Sequence, residues 1–199
     1  MLASASPARR QLLRAAGIEA DVVVSGVDES TVEASGAQEL CLRLAQRKAL
    51  AAADRLPRDS QPHARTLVLG CDSVLSFAGE VLGKPTGAAD AIARWRRMRG
   101  NHGTLFTGHA VVAVESARVV TAVAGAEVHF GQVSAEEIEA YVATGEPLAV
   151  AGAFTIDGYG SPFIERIDGD PGTVIGLSLP LLRQLLSELG ISITELWRG

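Results

Sequence analysis

Three short stretches of this chain carry side chains of types and spacings suited to phosphate chemistry. The first runs from Ser4 to Arg10, where small residues lead into Ser6 and Pro7. A serine at the N-cap followed by proline at the first helical position opens a helix. The free backbone N–H groups of such a start, together with the helix dipole, favour an anion. Ser4 and Ser6 add hydroxyl donors, and Arg9 adds a planar guanidinium that matches phosphate oxygens in pairs. Taken alone, this stretch reads first as a capped helix with solvated arginines.

The second stretch is Gly70-Cys-Asp-Ser73, into which the apolar run Leu67-Val-Leu69 leads. Ligands of open α/β sheets bind beyond such strand ends. A carboxylate there can hold a metal or take a proton from water, and an Asp that ends a strand and caps a turn is the equal alternative. The third is Asp28-Glu29, which follows Val22-Val-Val24 through a glycine turn. Mg²⁺ is held by one or two carboxylates plus substrate phosphates, a count that Glu29 and Asp72 could supply; a solvated acidic loop is the plainer reading.

Other motifs exclude chemistries. Gly79 to Pro85 looks like a phosphate-binding loop, but it is one residue short and has Pro85 where the metal-binding hydroxyl belongs. Pro85 also bars Lys84 from the helical conformation that such a lysine needs. Lys84 remains as a point charge that the intervening hairpin could bring near Asp72. Lys48 stands late in a helix among Arg43, Gln46 and Arg47 and reads alone as a solvated lysine. His63, His102, His109 and His129 show no metal-ligand spacing, and His102 and His109 read as loop or strand-flank residues. No G-x-S-x-G is present, so nothing supports a nucleophilic serine.

The elements that must position these residues follow from periodicity and punctuation. Leu2 to Ser4 reads as a very short strand. A helix is expected from Pro7 to about Ala16, stopped by Gly17, and a strand over Ala20–Ser25. A long helix spans Ala37–Asp54, and the only long surface loop is expected over Leu56–Arg65. Thr66–Cys71 and Ser73–Phe77 are β-rich, Gly79 turns the chain, and Thr86 caps a helix of about Ala88–Arg99. Leu105–Val114 and Val119–Phe130 form a hairpin at Glu115–Ala117. Ser134 to Glu137 matches a capping box that opens a helix to Thr144, and a last helix covers Leu181–Leu189. Strands alternating with helices, plus a hairpin, predict an α/β fold on a mixed sheet.

Composition sets the outer limits. The chain has 199 residues, which predicts one domain, 1–199, that two lobes sharing a sheet could make up. The apolar content of 47% and charged content of 21% suit a globular enzyme. A net charge of -5 and an aromatic content of 5% argue against a nucleic-acid partner. Cys41 and Cys71 cannot build a disulfide framework or a four-ligand zinc site and read as reduced thiols. Without a signal-peptide pattern or an apolar run of ~18 residues, a cytoplasmic location and no membrane partner are expected.

In sequence order, Leu2-Ala-Ser-Ala-Ser-Pro7, Val27-Asp-Glu29, Lys48-Ala49, Gly70-Cys-Asp-Ser-Val74, Gly83-Lys-Pro85, Thr107-Gly108, Glu146-Pro147, Ala151-Gly-Ala-Phe154, Gly169-Asp170 and Val174-Ile-Gly-Leu177 resemble the Maf family, the septum-formation-inhibitor-like nucleotide pyrophosphatases. The set is specific although no single motif is, and it covers about Leu2 to Ile191. The resemblance implies a mixed twisted sheet with flanking helices and two lobes around a cleft, of the Maf and inosine-triphosphatase type. It implies hydrolysis of the α–β linkage of nucleoside triphosphates, releasing monophosphate and pyrophosphate, with Mg²⁺ or Mn²⁺ as cofactor. Asp72 matches the catalytic carboxylate, usually described as the proton acceptor. Ser4, Arg9, Glu29, Lys48 and Lys84 match the phosphate and metal residues, and relatives of this kind often pair as dimers.

On that basis Asp72, Lys48 and Lys84 are the catalytic candidates and Glu29 with Asp72 the metal pair. Ser4, Arg9, Ser73 and Asp157 are the substrate contacts. The chain also departs from the family pattern. Ala8 replaces the first arginine of the usual Ser-Pro-Arg-Arg, and Ser73 and Asp157 stand where dTTP- and UTP-selective members carry Thr and Gln. A carboxylate cannot donate to a base carbonyl as an amide does, so a broader or different base range, including modified nucleotides, is expected. The competing readings are an inosine-triphosphatase-like purine cleaner and a non-enzymatic regulator of cell division acting through protein partners.

Overall fold

The computed structural model describes residues 1–56 and 66–197. The surface loop expected over Leu56–Arg65 lies, beyond Leu56, outside the described residues, as does His63. The elements run α1 (Pro7–Ala15), α2 (Ala37–Ala53), β1 (Leu67–Phe77), β2 (Glu80–Leu82), α3 (Ala88–Met98), β3 (His102–Ala113), β4 (Arg118–Phe130), α4 (Ala135–Ala143), β5 (Ile164–Asp168), α5 (Pro171–Ile175) and α6 (Leu179–Glu188).

The fold is α/β. Its five strands pair in the order β2-β1-β3-β4-β5. β1 with β2 and β4 with β5 are antiparallel. Among the described residues, isolated parallel bridges join Leu2 to Val22 and to Leu69. The strand expected over Ala20–Ser25 therefore shrinks to the bridge at Val22. Val22 itself and Val24 are exposed, so no partner surface rewards a longer ladder.

The two β-rich runs around Asp72 are one strand. β1 is buried at eight of its eleven positions, and the apolar run resumes at Val74-Leu75 beyond the carboxylate. Asp72 thus sits inside β1 instead of ending it, because Lys48 satisfies the carboxylate in place. A second correction concerns α3. Gly87, not Thr86, is the N-cap, and the Thr86 N–H and hydroxyl turn to the Asp90 carboxylate. The capping box at Ser134 and Glu137 forms as the sequence predicts.

The chain divides into two compact units. The first comprises Met1–Asp72, Thr107–Ala124 and Gly176–Gly199, and the second Ser73–Phe106 and Gly125–Ile175. In the first unit Leu2, Leu13, Leu69, Leu182, Leu185 and Leu186 form one apolar cluster. A second cluster is built from small residues, with Ala45, Ala49 and Ala52 of α2 against Val68, Ala110 and Val112.

That alanine face lets α2 approach two strands closely. A Cβ at Gly70 of β1 would lie 2.8 Å from Ala49 N and would collide with the Ala45 carbonyl. At Gly108 of β3 it would lie 2.6 Å from Leu42 N. In the second unit Trp95 of α3 is the centre. Phe130, Tyr141 and Phe163 meet it edge-on at 5.7, 5.5 and 5.9 Å, and its indole N–H donates to the Ala153 carbonyl at 2.7 Å.

Candidate functional site

The close approach of α2 to Gly70 decides where Lys48 ends up. Lys48 precedes Ala49 on α2, Asp72 lies two residues beyond Gly70 on β1, and the two side chains meet with Nζ 2.5 Å from Oδ1. The same ammonium lies 2.7 Å from Glu29 Oε1. Glu29 starts a short 3-10 turn, Glu29–Thr31, which the Asp28 side chain caps by accepting from Ser30 N. Lys48 is therefore not the solvated lysine its neighbours suggest: its side chain is 12% exposed and that of Asp72 is 11%. Only the tertiary contact removes it from water.

Burial pushes the Asp72 carboxyl above its ordinary value, and the nearby Glu29 charge adds to that; the Lys48 ammonium and the Arg9 guanidinium pull against it without cancelling it. The result is a carboxylate with a raised proton affinity held beside two cations, which is the property of a general base.

The segment Ser4 to Arg9 adds a fixed cation. Ser6 N-caps α1 and accepts from Arg9 N. Ser4 Oγ accepts from Ser6 N at 3.2 Å and from Arg9 Nη1 at 3.0 Å, while Arg9 Nε donates to the Gly176 carbonyl at 2.8 Å. The guanidinium is pinned from two sides. Ser4, Arg9, Glu29, Lys48 and Asp72 all belong to the first unit. His109, expected at a strand flank, lies in the interior of β3 and is fully buried.

Ser73, Lys84 and Asp157 belong to the second unit. Lys84 is exposed and follows Gly83, whose carbonyl accepts from Arg94 Nη1 at 2.7 Å and from Gly152 N at 3.1 Å. Asp157 is exposed on a loop organised by a residue that sequence reasoning did not single out, Glu146. Its carboxylate accepts from Thr155 Oγ1 at 2.5 Å, Tyr159 N at 2.9 Å, and Gly160 N and Tyr141 Oη at 3.1 Å. The only signal was its place in the Glu146-Pro147 motif.

The histidines show no metal-ligand spacing along the chain, yet His129 does meet two carboxylates. Register pairs Glu127 with Asp168 and His129 with Arg166 across β4 and β5. His129 Nε2 lies 2.9 Å from Glu127 Oε1 and 3.0 Å from Asp168 Oδ2, and the three could hold a metal ion by geometry. Linear spacing misses this group because one ligand comes from another strand. Arg166 Nη2, 2.9 Å from His129 Nε2 and 2.8 Å from Asp168, already supplies a positive charge there. Among the described residues, no helix is long and apolar enough to cross a membrane.

Comparison with known proteins places the sequence among a set of similar chains. The profile of the family described as "Maf-like protein" matches residues 1–189. A protein of Salinispora tropica named "Nucleoside triphosphate pyrophosphatase" is 64% identical over 197 residues, covering 99% of this chain and 86% of the relative. Proteins of the same name from Streptomyces coelicolor and Nostoc punctiforme are 56% and 50% identical, over 99% and 100% of this chain and 93% and 97% of their own lengths.

Proposed function

This chain belongs to the Maf family, and we propose that it is a nucleoside triphosphate pyrophosphatase that splits the α–β linkage to release monophosphate and pyrophosphate. The names of its relatives support the reaction, and the observation that carries the site is the Lys48 ammonium held jointly by Glu29 and Asp72. A buried base beside fixed cations suits in-line attack of water on a phosphorus centre.

Each residue has a distinct task. Asp72 orients the attacking water and takes its proton as the new bond to the α-phosphorus forms. The bond between that phosphorus and the bridging oxygen breaks, and pyrophosphate leaves with the electron pair. Lys48, Lys84 and Arg9 balance charge on the phosphate oxygens, and Ser4 with the start of α1 adds neutral donors. Two hard carboxylate oxygens gathered on one cation are the donor set that Mg²⁺ or Mn²⁺ prefers. Glu29 and Asp72 would hold such an ion, and when bound it supplies charge neutralisation on the phosphates.

Ser73 and Asp157 address the base. With a carboxylate in place of an amide at Asp157, the reading is a base range broader than thymine and uracil, extending to modified nucleotides. The whole chain, 1–199, serves as one catalytic module, pairing as a homodimer in the cytoplasm.

The test is pyrophosphate release from a panel of triphosphates, with 7-methyl-GTP and 5-methylated pyrimidines included. Chelation of divalent metal should abolish turnover, and Asp72→Asn should lower it by about 10²–10⁴-fold. Equal turnover by the Asn variant would remove Asp72 from the mechanism. No turnover by the unmodified protein on any nucleotide would favour the division-regulator reading.

A further inference from the structure

His109 takes no part in the chemistry above, yet it is a fully buried polar side chain in the unit that holds the site. Its Nε2 accepts from the backbone N–H of Ser178 at 2.9 Å, and its Nδ1 lies 3.0 Å from the Thr107 carbonyl. An amide N–H can only donate, so Nε2 carries the lone pair, and Nδ1 carries the hydrogen and donates to Thr107. The ring is thereby a neutral imidazole in one tautomer, with donor and acceptor committed to two backbone positions.

What it grips is the segment Gly176-Leu-Ser178. At one end Ser178 N-caps α6, its side chain accepting from Leu181 N. Leu177 is fully buried. At the other end Gly176, with φ of 118° in the region that favours glycine, points its carbonyl at Arg9 Nε. Arg9 is then held between Gly176 and Ser4 Oγ.

We propose that His109 is the positioning residue for Arg9: through Ser178 it sets the Gly176 carbonyl, and through that carbonyl it holds the guanidinium in the orientation that meets the substrate's phosphate chain. This inference rests on Arg9 being a phosphate contact, as read above. A long arginine side chain loses substantial rotamer freedom on binding. Holding it in place before the ligand arrives removes that cost from the binding step. His109 acts on the affinity for triphosphate through Arg9 alone.

The experiment is a double-mutant cycle read as the dissociation constant of a non-hydrolysable α,β-methylene triphosphate. His109→Asn reaches the position of Nδ1 but not that of Nε2, so it keeps the Thr107 contact and orphans Ser178 N–H. His109→Gln carries an acceptor to the Nε2 position. The Asn variant should bind about 3- to 10-fold more weakly, with Gln restoring most of the affinity. In an Arg9→Ala background His109→Asn should have no further effect.

Equal losses for Asn and Gln, or the same loss with and without Arg9, would overturn the inference and leave the pyrophosphatase reading standing. If Arg9→Ala alone leaves affinity unchanged, the assignment of Arg9 falls and takes this inference with it. Should the Asn variant not fold, the unmodified protein still answers. Hydrogen exchange at Arg9 Nε–H and at Ser178 N–H should slow together when the analogue binds, and slowing at Arg9 alone would overturn the coupling.

Discussion

Asp72 is the residue on which the proposed chemistry turns, and its surroundings predict a pH profile. Burial raises its proton affinity above that of an ordinary Asp, and Lys48 and Arg9 only partly offset this. A general base works deprotonated, so the rate should fall as pH drops through the raised value. The acid limb of kcat/KM therefore lies above the usual carboxylate range. Lys48→Met removes an interaction that favours the ionised form, so the limb should move to still higher pH as well as the rate falling. A limb that stays in place would mean that another group titrates. Glu146 is perturbed in the opposite direction. Its burial is outweighed by the bonds it accepts from Thr155, Tyr159, Gly160 and Tyr141, so its carboxyl lies below its ordinary value. A depressed carboxylate gives stability that is present above the unfolded pKa and lost as pH falls through the folded one. Amide exchange at Gly160 should accordingly accelerate below the ordinary Glu range, and in Glu146→Gln it should already be fast at neutral pH.

At the scale of elements, the packing of α2 on β1 makes the site. Lys48 and Asp72 meet because Gly70 lets the helix backbone approach the strand, with no room for a Cβ between them. Gly70→Ala should overpack this contact at a cost of about 1–3 kcal/mol and also displace Lys48 from Asp72. Denaturant midpoint and kcat should fall together. Ser134→Ala provides the contrast. It deletes the capping box of α4 in the second unit, and should cost about 1 kcal/mol while kcat holds. Thr86 shows where local reasoning runs out. A threonine two residues before α3 looks like a cap, but in the structure Asp90 engages both its N–H and its hydroxyl from the first turn.

For the whole molecule, the two units have separate apolar clusters, yet β1, β3 and β4 each contribute residues to both. A strand cannot lose one half of its ladder without loosening the other, so unfolding should be a single cooperative transition. Leu185→Ala empties a fully buried position of the first unit, at a cost of about 2–5 kcal/mol. Trp95 reports on the second unit. Its fluorescence transition should shift with the far-UV circular dichroism transition to the same lower midpoint. Two separated transitions would show that the units unfold independently.

Much of this protein was legible without coordinates. The α/β class, most helices, the hairpin and the capping box follow from periodicity and turn chemistry, because these are local preferences written in a few neighbouring residues. Ser4, Arg9, Glu29, Lys48 and Asp72 could be named as candidates from motif order. The unbroken passage of β1 through Asp72, the burial of Lys48, the grip of Glu146 on its loop and the two-sided hold of His109 could not. Each of these depends on partners dozens of residues away, and the free energy that settles them comes from desolvation and close packing, which exist only once the distant surfaces have met.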